Sequence, residues 1–291
     1  MKNHLLIALY VMMLSTLAVA QDDLLRELQA SAPAAKQPVL GTFKGTRIVN
    51  GHSVETSRQG ELEFMISHRF GTLNSGGYFL WGLDEANIRL GLDYGITDRL
   101  TAGFGRSSAD KTYDGYAKYR LLRQHTDGTP LSLTMQGTAA YQASYSREFE
   151  QSSAQDAMSY AVQALLARKF KSFSLQLAPS MVHRNSVDQN IAVNTLFALG
   201  AGARVKVTRS FSLHAEYYAR LNEKENNPYH NSVGIGFDLE TGGHVFQLIF
   251  TNSVGMTDRI FIAETDGSIS NGDIRFGFNI ARTFQLSKQG Y

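Results

Sequence analysis

The sequence predicts an all-β protein: an antiparallel, up-and-down transmembrane β-barrel of about twelve strands, preceded by a short N-terminal helix and linker. Three observations support this fold class. Apolar and polar residues alternate in segments of about ten residues, the length of a tilted strand that crosses a membrane. The connections between these segments are alternately short and long. One face of the predicted strands is apolar, and no charged residue occurs in the middle of that face.

The first twenty residues have the order of a secretory signal. Lys2 precedes an apolar run at residues 5–17, and the small residues AVA at 18–20 come before Gln21. This order predicts a signal peptide over residues 1–20 that is cleaved after Ala20. The apolar run is shorter than the roughly 20 residues that a helix needs to cross a bilayer. We therefore expect an exported protein that crosses a membrane with strands.

The composition limits the kinds of partner and of chemistry. The chain has 28 Lys and Arg against 26 Asp and Glu residues, and removing the signal peptide takes away only Lys2. This near balance argues against a nucleic-acid partner. Cysteine is absent, which excludes disulfides, thiolate metal sites and thiol catalysis. The many Phe and Tyr residues and the few Pro residues favour β-structure.

The chain between the signal and the regular pattern divides into two parts. Residues 21–40 contain DDLLRELQA, which fits a short amphipathic helix, and SAPAAKQP, which has the composition of a linker. Residues 41–59 mix β-formers with turn residues, and we expect them to form either a plug inside the barrel or a hairpin at its rim. The barrel is predicted over residues 60–284, and residues 285–291 are a C-terminal tail.

Alternation with a period of two residues recurs from Gly60 onward. It predicts strands at residues 60–71, 85–96, 100–107, 112–122, 131–141, 158–168, 172–183, 194–207, 211–221, 231–240, 244–252 and 273–284.

The connections indicate which end of the barrel faces which compartment. The second, fourth, sixth, eighth and tenth strands are followed by TDR, RQHTDGTP, KFK, TRS and TGG. The other connections are longer, except for residues 108–111. Transmembrane barrels have short periplasmic turns and long extracellular loops. An even number of strands also returns both ends of the barrel to the periplasmic side.

The apolar face is predicted to contact lipid. A Lys or Arg at the bilayer midplane of such a face costs roughly 2–4 kcal/mol, and the cost falls toward the interfaces. The polar residues on this face occur at predicted strand ends: His68, Arg106, His183, Asn252 and Arg282.

The opposite face is predicted to line the lumen. It is rich in glycine, which relieves crowding inside a barrel but only weakens a strand that faces water. A soluble sandwich remains the alternative fold. The predicted lumen-lining residues are Arg89, Asp93, Asp114, Lys118, Arg120, Arg204, Lys206, His214, Glu216, Arg220, Asp238 and Arg275.

Several stretches also resemble a family of Gram-negative outer-membrane β-barrel proteins known only as a domain of unknown function. The resemblance covers residues 41–284 and implies a barrel in or near the outer membrane, with no assigned activity or site. The stretches that carry it are FKGTRIVNGHSVE (43–55), ELEFMISHRFG (61–71), GLDYGITDRL (91–100), YDGYAKYRLLRQ (113–124) and LAPSMVHRN (177–185).

No catalytic, cofactor or metal site is predicted. His214 and Glu216 share the inward face and have the residue types of an acid and base pair, but a charged lumen network with Arg220 and Lys206 explains them as well. His68 and His183 have the face and depth of the catalytic residues of an outer-membrane phospholipase, whereas Ser159 and Ser180 face inward. Oxygen donors in loop 264–273 lack the spacing of a calcium loop.

The function expected from these features is a narrow channel for a small polar solute in the outer membrane. A structural or assembly component of the envelope is the alternative, followed by a lipid-modifying enzyme. The expected partners are outer-membrane lipids and, because the last strand is aromatic through Phe284, the barrel-assembly machinery. No cofactor is expected.

Overall fold

A computed structural model shows twelve antiparallel strands closed into one barrel. It describes residues 37–149 and 153–286, so the predicted signal peptide, the predicted N-terminal helix and residues 287–291 lie outside the described part. Each strand pairs with its neighbours in sequence, and β1 pairs with β12 to close the barrel. The predicted fold class is confirmed, and the soluble sandwich is wrong.

The strand boundaries agree with the predicted ones to within two residues. In chain order the strands are β1 (Glu61–Thr72), β2 (Ala86–Thr97), β3 (Leu100–Ser107), β4 (Thr112–Leu122), β5 (Ser132–Gln142), β6 (Met158–Phe170), β7 (Phe173–Arg184), β8 (Thr195–Lys206), β9 (Phe211–Arg220), β10 (Ser232–Thr241), β11 (His244–Thr251) and β12 (Arg275–Gln285).

The two ends of the barrel differ in their connections. We call the end where β1 begins and β12 ends the turn end, because four of its five connections have only two to four residues, and the opposite end the loop end. The turn between β10 and β11 consists of Gly242 and Gly243, both with positive φ. A two-residue hairpin turn of this kind needs positive φ at both positions, which glycine adopts without strain.

Among the described residues, helical structure occurs as short turns in the loops. One α-helical turn, α1 (Tyr145–Glu148), follows β5, and a π-helical turn at Arg259–Ala263 lies between β11 and β12. Short 3₁₀ turns occur at Leu73–Ser75, Gly77–Gly82, Ala109–Lys111 and Ile269–Asn271. Within the described ranges, no helix has the length and apolar character needed to cross a membrane.

The two faces of the strands separate as the alternation predicts. Large apolar side chains such as Leu92, Phe104 and Leu199 are exposed on the outside, while the residues between them are buried inside. His68, Arg106, His183 and Arg282 face outward near strand ends. Asn252 is the exception to the prediction. It lies just beyond β11 and is buried, because its amide donates to the carbonyl oxygens of Asn231 and Gly267.

Two segments that are not strands lie inside the barrel. Residues 41–57, which we call the inner segment, precede β1 and are mostly buried. Residues 252–268, which we call the inner loop, belong to the connection between β11 and β12 and are also mostly buried. The packed core of the protein is therefore within the lumen, where these two segments meet the barrel wall.

Candidate functional site in the barrel lumen

The inner segment folds into a tight reversal. Arg47 and His52 form an isolated antiparallel bridge, and the backbone N–H of Ile48 donates to the carbonyl of Gly51 at 2.9 Å. The turn brings three consecutive N–H groups, those of Val49, Asn50 and Gly51, to one side. Successive backbone N–H groups in a turn form a concave site that favours an anion.

Glu216 of β9 supplies that anion. Its carboxylate accepts hydrogen bonds from the N–H groups of Val49 at 3.0 Å, Asn50 at 2.8 Å and Gly51 at 3.1 Å. Glu216 is only 3% exposed, so these bonds form away from bulk water. Hydrogen bonds to an ionised acceptor are roughly twice as strong as neutral ones. This carboxylate is therefore the main polar anchor of the turn.

Other wall side chains bind the backbone of the inner segment. Lys118 of β4 donates to the carbonyls of Thr46 at 3.1 Å and Glu55 at 3.0 Å. Arg69 of β1 donates to the carbonyl of Val49 at 3.2 Å and to the side-chain oxygen of Asn50 at 2.9 Å. Further donors to its carbonyl groups are Thr134, Gln176, Gln247, Asn279 and Arg204.

Wall glycines provide the space that the interior side chains occupy. A Cβ on Gly202 would lie 2.4 Å from the Ile48 side chain, and a Cβ on Gly234 would lie 2.6 Å from the Val49 side chain. Conversely, in the inner segment, a Cβ on Gly51 would meet the hydroxyl of the wall residue Tyr218 at 2.3 Å. The glycine-rich inward face is thus matched to large side chains that pack against it.

An apolar cluster joins the inner segment, the inner loop and one side of the wall. Phe43, Ile48, Val49 and Val54 of the inner segment are each 3% exposed or less. They pack with Phe261 and Ile262 of the inner loop and with inward apolar side chains of β6 to β9 and β11, among them Leu165, Val182, Leu196 and Ile249. Dense apolar packing of this kind resists local opening.

The inner loop is held by polar side chains in the middle of the wall and at the loop end. Asp258 accepts hydrogen bonds from Gln136 at 3.0 Å, Thr138 at 2.6 Å and Gln163 at 3.0 Å. Burial raises the pKa of the Asp258 carboxyl, and the charge of Arg47 opposes this shift. Arg259 pairs with Asp110 and Glu264, and Arg184 of β7 also pairs with Glu264.

His52 is a buried titratable group of the inner segment. Its ring is 1% exposed and contacts the Tyr116 ring edge-on at 4.5 Å between centroids. Burial lowers the pKa of His52 well below its usual value, and the charges of Arg47, Lys118 and Arg89 lower it further.

The predicted lumen residues have different surroundings. Arg89 and Asp114 form a buried ion pair, Asp93 accepts from Thr46, and Arg120 lies 3.6 Å from Glu55. At the loop end, Arg275 pairs with Asp266 at 2.8 Å. Lys206 is exposed at the end of β8, and the others in the predicted set are buried: Arg89, Asp93, Asp114, Lys118, Arg120, Arg204, His214, Glu216, Arg220, Asp238 and Arg275.

The predicted network of His214, Glu216, Arg220 and Lys206 is wrong. His214 lies 3.1 Å from Asp238, whereas Glu216 binds the inner segment. Arg220 instead donates to the Tyr229 carbonyl at 2.7 Å and pairs with Glu223. The reason is geometric. Glu216 reaches across the lumen, whereas Asp238 lies on the neighbouring strand β10, and the partners of Arg220 lie in the connection between β9 and β10.

The outward histidines have structural contacts. His68 stacks on Phe278, with ring centroids 5.1 Å apart, and His183 Nδ1 lies 2.8 Å from the hydroxyl of Thr195. Ser159 and Ser180 are buried on the inward face, as the alternation of residues along their strands predicts. The structure therefore brings neither serine to an outward histidine.

There is little free space where the inner segment meets the inner loop. A cavity of about 10 Å³, bordered by Arg47, Arg69, Arg89 and Met256, lies between the two. This is about the volume that one water molecule needs. In loop 264–273, Asp266 is paired with Arg275 and Asp273 accepts from Asn74. Across the described residues, no cluster of three or more His, Asp or Glu could hold a metal ion.

The uncharged partners of the inner segment were not predicted from the sequence. These partners occupy inward positions of their strands, so the alternation along each strand would have placed them in the lumen. They are Thr134, Gln176, Gln247 and Asn279. A further signal is that both faces of residues 161–167, AVQALLA, are largely apolar. Such a strand is apolar toward lipid and also toward an interior core.

The sequence matches a known family over most of its length. The family is described as a membrane-bound beta barrel domain, DUF5777, and it matches residues 43–284. The chain belongs to this family. The resemblance inferred from the sequence is thereby confirmed. The matched range includes the inner segment from Phe43 as well as the twelve strands, so both are parts of the family domain. No curated protein matches the chain.

Solved barrels have only a general likeness to this member of the family. A NanC porin has a TM-score of 0.49 at 9% identity, over 77% of this chain and 100% of its own. An outer membrane channel from Pseudomonas putida F1 has a TM-score of 0.44 at 13% identity, over 79% and 98%. Outer membrane phospholipase A from Escherichia coli has 0.45 at 8%, over 87% and 100%. Channels and an enzyme both occur among them, so these likenesses do not distinguish the two functions.

Proposed function

We propose that this protein is an outer-membrane channel for small polar solutes that is closed at rest by its inner segment. The observation that carries the proposal is the chemistry of the wall beneath that segment. Arg69, Lys118 and Glu216 direct their charged groups at backbone atoms of the inner segment. If the segment left, these groups would line a water-compatible passage, which suits a polar solute.

The closed state is stable because much apolar surface would be exposed on opening. Phe43, Ile48, Val49 and Val54 are fully buried in the lumen. Burying one such side chain contributes about 1.5–3 kcal/mol. Withdrawal of all four without compensation would occur rarely, so we expect opening to need a partner or a force acting on the chain before residue 41.

A structural or assembly role is the second candidate, and the apolar cluster favours it. That cluster joins the inner segment and the inner loop to the wall as a continuous core. A barrel filled in this way resists deformation whether or not it ever conducts. In this alternative the inner segment is a permanent part of the core.

Current across planar bilayers tests which role applies. The chain has no cysteine, and the position of a Cβ on Gly234 lies 3.2 Å from the Cβ of Val49. Disulfides need a Cβ separation of roughly 3.5–4.5 Å, so a Val49→Cys/Gly234→Cys variant should cross-link after a small adjustment. We expect a barrel lacking residues 41–57 to conduct and the full chain to be mostly closed. Oxidation of the double-cysteine variant should abolish its remaining openings, and reduction should restore them.

Two controls accompany this test. The Val49→Cys variant alone cannot form the cross-link. Gel electrophoresis of unboiled and boiled samples shows whether each barrel is folded, because a folded barrel changes mobility when it is heated. A shortened barrel that is folded and inserted but silent would overturn the channel and favour the structural role. A purified protein that hydrolyses phospholipid, and loses this activity in a His183→Ala variant, would favour the lipid-modifying enzyme over the channel.

A further inference from the structure

The outer surface of the barrel has a groove where small side chains replace large ones. It has a volume of about 650 Å³ and lies on the outward face of β6 to β10. Ala203 pairs with Leu175 on one side and with Ala215 on the other, and Ala215 pairs with Ile235. Together with Ala201, the two alanines form a low floor between rows of larger apolar side chains. This floor continues the lipid-facing surface of the barrel.

The groove ends at a basic rim. Arg168 lines the groove at the turn end of β6, with its guanidinium 4.9 Å from the centre of the Phe170 ring. Lys171, Lys206 and Arg209 are exposed at the same end of β6 to β9. Apart from Asp188 in the loop between β7 and β8, the sequence has no acidic residue from 157 to 215, and Glu240 at the turn end of β10 is paired with Lys44. The rim therefore attracts anions, and long basic side chains beside an apolar face reach toward lipid headgroups.

We propose that this groove binds one phospholipid with an anionic headgroup, taken from the leaflet at the turn end. An acyl chain lies over Ala201, Ala203 and Ala215, and Arg168 and Lys171 bind the phosphate and its headgroup. A second copy of the chain fits less well, because a two-fold contact through this face would bring two basic rims together. Like charges in such a contact are repulsive. The apolar groove explains the acyl chain, and the rim explains the preference for negative charge.

Native mass spectrometry of the full chain released from nanodiscs tests the proposal. The nanodiscs would contain equal parts of phosphatidylglycerol and phosphatidylethanolamine. We expect the wild type to retain one phosphatidylglycerol. Ala203→Leu fills the groove and should reduce retention of both lipids at least tenfold. The double variant Arg168→Gln/Lys171→Gln should retain lipid without preferring phosphatidylglycerol to phosphatidylethanolamine.

Two matched controls separate the site from general effects. Ala117 also faces outward, on β4, so Ala117→Leu adds the same bulk away from the groove. Arg282 faces outward on β12 with its guanidinium 4.9 Å from the Phe284 ring, so Arg282→Gln removes the same kind of contact elsewhere. Heat-dependent gel mobility confirms that each variant is folded. Retention that is unchanged in Ala203→Leu, or equally reduced in Ala117→Leu, would overturn the proposal. A dimer that Ala203→Leu dissociates would also overturn the proposal, because the occupant of the groove would then be a second copy of the chain.

Discussion

Individual side chains in this barrel act across the lumen more than along their own strands. Glu216 is the clearest case, since its carboxylate binds three N–H groups from a segment more than 160 residues earlier in the chain. Replacing a buried charged acceptor leaves its donors without partners, which is costly in a region without water. At the residue scale, the closed state therefore depends on a few wall side chains.

His52 predicts a pH dependence at the same scale. Its pKa is lowered in the folded state by burial and by the nearby cations Arg47, Lys118 and Arg89. A lowered pKa in the folded state means that His52 binds a proton more tightly when the inner segment is released from the lumen. The contribution of His52 to stability is thus complete above its unfolded pKa of about 6.5 and decreases below it, by at most about 1.4 kcal/mol for each pH unit.

Hydrogen exchange of residues 41–57 measures this effect. Exchange, corrected for its intrinsic pH dependence, should be faster at pH 5.5 than at pH 7.5 in the wild type. The difference should shrink in a His52→Gln variant, which cannot titrate at this position. Carboxyls such as Asp258, whose pKa is raised, act in the opposite direction and are present in both proteins. Equal pH dependence in the two proteins would show that His52 is not responsible.

At the scale of elements, the inner segment and the wall are complementary in shape. Gly202 and Gly234 lie directly beneath the side chains of Ile48 and Val49, where a Cβ would overlap them. Strands alone could tolerate larger residues at these positions, because β-branched side chains favour extended backbone. The need for glycine comes from the neighbouring element.

A Gly202→Val variant tests this complementarity. The new side chain would overlap Ile48, and overpacking of this kind costs about 1–3 kcal/mol. We expect faster hydrogen exchange in residues 41–57, while the amides of β7 and β8 remain protected. Gly137→Val is the matched control, because Gly137 is a strand glycine on the outward face with no atom within 4 Å of a new Cβ. Equal effects of the two substitutions would contradict the proposed fit.

At the scale of the whole molecule, the barrel has two apolar environments. The outward face carries exposed residues such as Leu199 and Phe197, and the lumen contains a second cluster that includes Leu196 and Ala198. Strand β8 therefore contributes apolar side chains to both sides. A membrane protein needs the apolar outward face for contact with lipid. In this barrel, the apolar cluster in the lumen holds the inner segment and the inner loop.

Charged substitutions on the outward face test how the whole barrel sits in lipid. Leu199→Arg, near the middle of β8, should lower the free energy of unfolding by about 2–4 kcal/mol in lipid vesicles. Val205→Arg, at the turn end of the same strand, should cost about 0–1 kcal/mol, because it lies near the interface. Urea titration of folding into vesicles measures both values. Equal and small costs would mean that this face contacts water.

The fold was largely predictable because its signals are local. Alternation with period two fixes which side chains of β1 to β12 share a face, and turn residues such as Gly242 and Gly243 mark where strands reverse. The candidate site was predictable only in part. Parity places Glu216 and Lys118 in the lumen, but it cannot say that each binds backbone atoms of residues 46–55.

The sequence by itself determined the twelve strands, their two faces and the alternation of turns and loops, because each depends on neighbours within a few residues. Only the tertiary structure decided that residues 41–57 and the inner loop fill the lumen. Closing β1 against β12 sets the width of the barrel and brings Val49 to Gly234 and Glu216. Contacts between residues so far apart in sequence arise from that closure, and no local pattern encodes them.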